Sequence, residues 1–115
     1  MTLDGFDFKI LSCLQDDASL TNAALAEVVN LSPSQCSRRR IALEEAEYIT
    51  GYRAELDAAK LGFGVEAFTR VTLAAQAATT ADDIAKFFNG LEEVQMVYTL
   101  TGDADYLIHV RVRSL

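Results

Sequence analysis

In the first half of the chain, apolar residues recur at the three- and four-residue spacing that is typical of helices. The first stripe consists of Leu3, Phe6, Ile10, Leu11 and Leu14. Two further helices are expected over residues 22–29 and 33–46, each preceded by a residue that can cap a helix N-terminus. The pattern therefore predicts three short helices within residues 1–50.

The capping signals around the second and third helices are nearly complete. Thr21 can cap the second helix, and Ser32 with Gln35 forms a capping box around Pro33 at the first helical position of the third. Asn30 lies between the helices and tolerates the left-handed conformation that a helix end needs. Two helices joined by so short a turn are typical of a helix-turn-helix.

Beyond residue 50 the pattern changes from helical spacing to alternation. Residues 48–56 are interpreted as an extended segment, and Gly62 and Gly64 mark a hinge. Strands are expected over residues 65–74, 94–101 and 106–112. A helix capped by Thr79 or Thr80 is expected between the first two strands. The order strand, helix, strand, strand is a split β-α-β unit that lacks its second helix and fourth strand.

The third predicted helix carries three consecutive arginines, and in a helix-turn-helix this helix enters the major groove of DNA. The candidate DNA-contacting residues are Ser34, Gln35, Ser37, Arg38, Arg39 and Arg40. Arg38 and Gln35 have the shapes to read guanine and adenine edges. Arg39 and Arg40 are expected to hold phosphates or neighbouring carboxylates. A solvated helix face, with Arg40 paired to Glu44, is the alternative.

The net charge of −7 opposes DNA binding, and each half of the chain holds more acidic than basic side chains. Any binding must therefore rest on the arginine triplet and on several triplets acting together, which predicts a dimer or larger oligomer. No apolar run approaches the length of a membrane span, and no signal peptide is evident, so a cytoplasmic protein with no membrane partner is expected. Cys13, Cys36 and the lone His109 do not form a convincing metal site, and we expect neither metal nor cofactor.

Several short motifs, in order and spacing, resemble the Lrp/AsnC feast/famine regulators. They are Leu3-Asp4 with Asp7, Ile10 and Leu11; Leu31 to Arg39; Leu43-Glu44; Ile49 with Gly51-Tyr52; and Gly102-Asp103 with Asp105-Tyr106. The resemblance implies an α+β fold in three parts. These are an N-terminal winged helix-turn-helix (residues 1–50), a linking strand and hinge (51–64), and a truncated ferredoxin-like βαββ(αβ) domain (65–115).

Three features depart from the family pattern. Glu47 occupies the position after the third helix where the family usually has glycine, and Arg40 stands where an aliphatic residue is usual. The last helix and strand of the ferredoxin-like domain are absent. The strand at 65–74 is then expected to be an open edge, so the chain should self-associate strongly or be a fragment of a longer protein.

The resemblance also implies an effector site in the loop before the last predicted strand. Its candidate residues are Gly102, Asp103, Asp105 and Tyr106, whose amides and carboxylates would hold the two charged ends of an amino acid. A plain hairpin turn is the alternative interpretation, because glycine and aspartate are common turn residues.

The leading hypothesis is a sequence-specific DNA-binding transcription regulator, not an enzyme, that responds to a small effector, which is expected to be an amino acid. Its expected partners are double-stranded DNA, the effector and further copies of the chain. One alternative is a truncated partner that co-assembles with longer relatives. A tetrapyrrole decarboxylase-like enzyme is the other, and it would need histidines and basic residues around a large pocket, of which this chain has few.

Overall fold

The computed structural model describes residues 1–74, 81–102 and 105–115. The chain divides into two units, residues 1–55 and 56–115. The described residues form α1 (Gly5–Asp16), α2 (Asn22–Val29), α3 (Pro33–Glu45), β1 (Val65–Val71), α4 (Ala81–Asn89), β2 (Val94–Thr99) and β3 (Tyr106–Val112). The predicted order of helices and strands is confirmed, and most boundaries agree within two or three residues.

Helices α2 and α3 begin directly after the residues whose side chains were expected to cap them. Thr21 accepts a hydrogen bond from the Ala24 N–H (3.1 Å) at the start of α2. At α3 the Ser32 hydroxyl accepts from the Gln35 N–H (3.2 Å), and the Gln35 side-chain oxygen accepts from the Ser32 N–H (2.9 Å). Asn30 ends α2 in the left-handed conformation, with φ 61°. These contacts confirm the helix-turn-helix.

One small core holds α1, α2 and α3 together. Its fully or nearly fully buried members are Ile10, Leu14, Leu25, Val29, Cys36 and Leu43. Cys36 lies in this core as a free thiol, and Cys13 is a half-buried free thiol beside it. Both cysteines therefore pack as small apolar side chains.

The segment after α3 differs from the expectation. Glu47 has φ 61°, so it adopts the left-handed conformation that glycine would tolerate better. The N–H groups of Tyr48 and Ile49 both donate to the Leu43 carbonyl (3.0 and 3.1 Å). Residues 50–57 form neither helix nor strand, so the predicted linking strand is not formed. A strand requires a paired neighbour, and this segment has none among the described residues.

The second unit is an antiparallel sheet in the order β1-β3-β2. Helix α4 packs against β2. Ile84 of α4 and Ile108 of β3 are buried. Within the described residues β1 pairs with β3 alone, so β1 is an edge strand as predicted. This arrangement is the βαββ part of a ferredoxin-like domain. The predicted caps Thr79 and Thr80 lie outside the described residues.

One face of this sheet carries exposed side chains of β1 and β2 on either side of the half-buried His109 of β3. In the strand register Phe68 of β1, His109 of β3 and Met96 of β2 form a row, flanked by Glu66 and Tyr98. Phe68, Met96 and Tyr98 are 57, 51 and 46 % exposed. We call this group of five residues the open sheet face.

No helix in the described ranges is both long and apolar enough to cross a membrane.

Candidate nucleic-acid interface

Helix α3 places polar side chains on the side opposite its buried residues. Cys36 and Leu43 face the core, whereas Ser34, Gln35 and Arg38 are exposed and Ser37 is half-buried. These polar residues therefore lie on the side of α3 that faces away from the core.

The N-terminal turn of α3 is tightly hydrogen-bonded. The Gln35 side-chain oxygen accepts from the Ser32 N–H and from the Ser32 hydroxyl (3.1 Å), and that hydroxyl also lies 3.1 Å from the Ser34 hydroxyl. The capping box thus occupies the oxygen of Gln35, and its amide NH₂ group is left to donate to a base edge.

Arg38 projects into solvent. Within the described part of the chain it has neither an ion pair nor a hydrogen-bonded side-chain partner. Its guanidinium therefore keeps all five N–H donors for a ligand.

Arg39 is held by two carboxylates of α1. Its Nη1 atom lies 2.7 and 2.8 Å from the two carboxylate oxygens of Asp4 and 3.1 Å from Oδ1 of Asp7. The guanidinium also lies over the Phe6 ring, with 5.3 Å from Cζ to the ring centroid. The Arg39 hydrogen bond, and then the Asp7 N–H, keep the pKa of Asp4 below its ordinary value. Asp4 reciprocally raises the pKa of Arg39.

Arg40 is turned toward the body of the first unit. Its Nη1 donates to the Leu20 carbonyl (2.8 Å), its Nε donates to the Tyr52 hydroxyl (3.0 Å), and its Cζ lies 4.9 Å from the Tyr52 ring centroid. The Tyr52 hydroxyl in turn donates to Glu44 (2.7 Å), whose carboxylate is 3.9 Å from Arg40. Burial, and then the hydrogen bond to Glu44, raise the pKa of Tyr52. Arg40 is thus a structural residue in this unit.

A cleft of about 420 Å³ runs between the start of α1 and the middle of α3. Its polar lining consists of Thr2, Asp4, Asp7, Gln35, Arg38 and Arg39. Two guanidinium groups and two carboxylates therefore meet in this cleft beside α3. Their formal charges cancel.

Sequence reasoning did not identify Asp4, Asp7 and Tyr52 as partners of the arginines. Asp4 and Arg39 are 35 positions apart, and no local pattern links them. Asp4 and Asp7 form a second capping box at the start of α1, with a 3.0 Å hydrogen bond in each direction. This local pattern indicates a helix start but not a contact with Arg39.

The loop proposed as effector site is only partly described. Gly102 is exposed with φ 113°, a conformation that favours glycine, and Asp103 lies outside the described residues. The Asp105 carboxylate accepts from the Leu73 N–H (2.8 Å), and the Asp105 N–H donates to the Val71 carbonyl (3.1 Å). Asp105 therefore connects the end of β1 to the turn before β3.

Tyr106 is half-buried and lines a cavity of about 220 Å³ between α4 and β2. The structure thus places Asp105 in a backbone contact and Tyr106 beside a cavity. It does not gather the described loop residues around one pocket.

His109 has a structural environment on the open sheet face. Its Nε2 lies 2.7 Å from Glu66, which also pairs with Arg111 (3.0 Å), and its ring stacks on Phe68 with 4.6 Å between centroids. In the described ranges no three His, Cys, Asp or Glu side chains are placed to hold a metal ion.

Two family models together match nearly all of the chain. A winged helix-turn-helix DNA-binding model matches residues 3–50, and a Lrp/AsnC ligand binding domain model matches residues 66–115. The two structural units meet between residues 55 and 56, within the gap between the two matches.

The chain is also similar to curated bacterial proteins. It is 36 % identical over 112 residues to the HTH-type transcriptional regulator AldR of Mycolicibacterium smegmatis, covering 97 % of this chain and 66 % of that protein. The Leucine-responsive regulatory protein of Rhizobium meliloti is 39 % identical, with 98 % and 72 % covered. The chain thus spans about two thirds to three quarters of the length of these relatives.

Solved structures agree with these matches. A transcriptional regulator from Neisseria meningitidis, crystallised as a complex with L-Met, has a TM-score of 0.92 and 38 % identity, covering 99 % of this chain and 73 % of that one. An AsnC family transcriptional regulator from Agrobacterium tumefaciens has a TM-score of 0.90 and 34 % identity, covering 98 % and 74 %. These proteins are regulators and not enzymes, so the decarboxylase alternative has no support among them. The two domain matches and these relatives show that the chain belongs to the Lrp/AsnC family of transcriptional regulators.

Proposed function

We propose that this chain binds double-stranded DNA in a sequence-specific manner through the outward face of α3 and that a small effector, an amino acid, controls its occupancy. The observation that carries the proposal is the helix-turn-helix itself. Its second helix is capped at both expected residues, packed through Cys36 and Leu43, and free on the side of Ser34 and Arg38. Regulation of transcription requires access to DNA, so we assign the chain to the cytoplasm.

The proposed contacts divide between base edges and phosphates. The Arg38 guanidinium can donate two hydrogen bonds to the O6 and N7 atoms of guanine, and the Gln35 NH₂ can donate to an acceptor on adenine or guanine. Ser34 and Ser37 lie on the same side and can donate to phosphate oxygens. Arg39 and Arg40, named as candidates from the sequence, have protein partners in the free chain. Contact of either one with DNA therefore stays a prediction.

We further propose that two copies associate through the open sheet face. Phe68, Met96 and Tyr98 are the exposed apolar side chains of this face and would lose contact with water in a two-fold dimer. The charges beside these side chains are already paired, because Glu66 contacts both His109 and Arg111. Pairing within the chain lowers the electrostatic cost of burying these charges against an identical copy, because none of them is then buried without a partner. A dimer presents two α3 helices, which offsets the weak charge of each one.

The effector proposal rests on the family domain and on two relatives. The Neisseria meningitidis regulator was solved with L-Met, and the Rhizobium meliloti protein is named as leucine-responsive. We place the site at Gly102, Asp103, Asp105 and Tyr106. A thermal-shift screen of the twenty L-amino acids tests this placement. Stabilisation by one of them that Gly102→Val abolishes supports it, and stabilisation that survives the substitution contradicts it.

Selection from sheared genomic DNA tests the DNA-binding proposal. Purified protein and its Arg38→Ala variant are each incubated with fragments near physiological salt, and the retained DNA is sequenced. We expect the wild type to enrich a few fragments that share a palindromic element, and the variant to enrich none. Equal enrichment by both proteins would refute the assignment to Arg38. If the folded wild type enriches nothing, sequence-specific binding by this chain is refuted.

A further inference from the structure

The three arginines of α3 are adjacent in sequence, yet the structure leaves them very different freedom. Arg38 is solvated, whereas a single nitrogen of Arg39 contacts three carboxylate oxygens of Asp4 and Asp7. The Arg39 side chain is still 31 % exposed, so it lies at the surface of the same cleft as Arg38. Only its ion pairs keep it from acting as a second free cation.

The two carboxylates differ in how much they need Arg39. Asp7 is 5 % exposed in its side chain, and a carboxylate so buried requires a cation or several hydrogen-bond donors. Asp4 is 52 % exposed and is solvated without Arg39. Its capping function does not require a charge either, because asparagine and serine cap helices about as well as aspartate.

We propose that Asp4 is a positioning residue that holds Arg39 away from the DNA backbone and so limits the sequence-independent part of the DNA affinity. This inference rests on the proposed function, because it concerns the same surface of α3. With Asp4 ionised, the four charged side chains that line the cleft, Asp4, Asp7, Arg38 and Arg39, carry no net formal charge. Without that charge the cleft becomes cationic, and Arg39 can turn its remaining donors toward a phosphate.

The expected gain in DNA affinity follows from counterion release. One added phosphate contact steepens the slope of log K against log salt by about 0.9, which corresponds to roughly five- to tenfold in affinity near 0.1 M salt. The effect is the same for every DNA sequence, because phosphates carry no base information. With Asp4 in place, stable occupancy depends on several α3 helices binding together.

The test compares wild type, Asp4→Asn and the control Asp16→Asn on a labelled duplex of random sequence, by fluorescence anisotropy across a salt series. Asp16 is exposed at the opposite end of α1, so its substitution makes the same charge change away from the cleft. We expect Asp4→Asn to bind about five- to tenfold tighter near 0.1 M salt, with a slope steeper by about 0.9 for each α3 engaged. Asp16→Asn should stay close to wild type.

Equal shifts in the two variants would overturn the inference, because they would report net charge alone. Weaker binding by a folded Asp4→Asn protein would also overturn it, since the ion pair would then support binding. Asp4→Ser, which keeps a capping oxygen, replaces Asp4→Asn if that protein melts early. If neither wild type nor variant binds at low salt, the proposed function fails as well. Binding by wild type with no gain in the variant removes this inference alone.

Discussion

Three neighbouring arginines on one helix have three different environments. Arg38 is solvated, Arg39 is paired with carboxylates of α1, and Arg40 donates to Leu20 and Tyr52. Helical phase accounts for this difference, because successive residues point about 100° apart around the axis. A charge cluster in a sequence is therefore a poor measure of the charge that a helix offers to a ligand.

Substituting Arg38 and Arg40 separately should distinguish ligand contact from structure. We expect Arg40→Ala to lower the free energy of unfolding by about 1–3 kcal/mol, because it leaves the Leu20 carbonyl and the Tyr52 hydroxyl without a charged donor. Arg38→Ala should change it by less than about 0.5 kcal/mol, as expected for a surface site, while weakening DNA binding. Urea unfolding and anisotropy measure the two effects. Comparable destabilisation by both substitutions would contradict this assignment.

Acid should weaken the link between α1 and α3. The hydrogen bond from Arg39 lowers the pKa of Asp4 in the folded state, so the folded state binds its proton less readily than the unfolded chain does. The stabilisation is then fully present above the ordinary aspartate pKa and is lost as pH falls through the lower folded value. We expect wild type to exceed Asp4→Asn in stability at pH 7 and the difference to shrink below about pH 4. Thermal melts at both pH values measure it, and a difference that does not change with pH would contradict the link.

The helices show how far local signals determine structure. Each capping contact joins residues three positions apart, so Thr21, Ser32 and Gln35 could be read from the sequence. The linking strand could not, because strand formation depends on a neighbour that may lie anywhere in the chain. Residues 50–57 have no such neighbour among the described residues and form neither helix nor strand.

The end of α3 carries backbone strain that a glycine would relieve. Glu47 has φ 61°, and a residue with a β-carbon is disfavoured there by about 1–2 kcal/mol. We expect Glu47→Gly to stabilise the protein by about 0.5–1 kcal/mol after the added flexibility of the unfolded chain is subtracted. Glu45→Gly is the matched control, because it removes the same charge from the last residue of α3, which is helical, and should destabilise by less than about 1 kcal/mol. Urea unfolding measures the stability of both variants. Destabilisation by both substitutions would show that the backbone at Glu47 is unstrained.

The two units contribute different parts of the proposed regulator. The first presents α3, and the second presents the open sheet face, where apolar side chains of β1 and β2 are exposed together. Because a single α3 offers one free arginine, DNA affinity should depend on how many copies assemble. Association through the second unit and DNA binding through the first are therefore expected to be coupled.

A charge placed in the open sheet face should disrupt the assembly. Met96→Glu puts a carboxylate on β2 within the open sheet face, and burying that carboxylate against a second copy is costly. We expect at least a tenfold rise in the dimer dissociation constant, measured by sedimentation velocity. Phe8→Glu is the control, because Phe8 is 60 % exposed on α1 in the other unit. An unchanged dimer in Met96→Glu, or equal dissociation in both variants, would show that association uses another surface.

The sequence by itself determined the helix-turn-helix, its caps, the order of the strands and the family resemblance, because these depend on contacts within a few residues and on the spacing of motifs. Tertiary structure decided which arginine is free, since Arg39 meets Asp4 across 35 positions. It also decided the environment of Asp105, whose carboxylate reaches the Leu73 N–H across 32 positions. Contacts at such separations leave no periodic trace in the sequence, so only the folded chain shows which charges are neutralised.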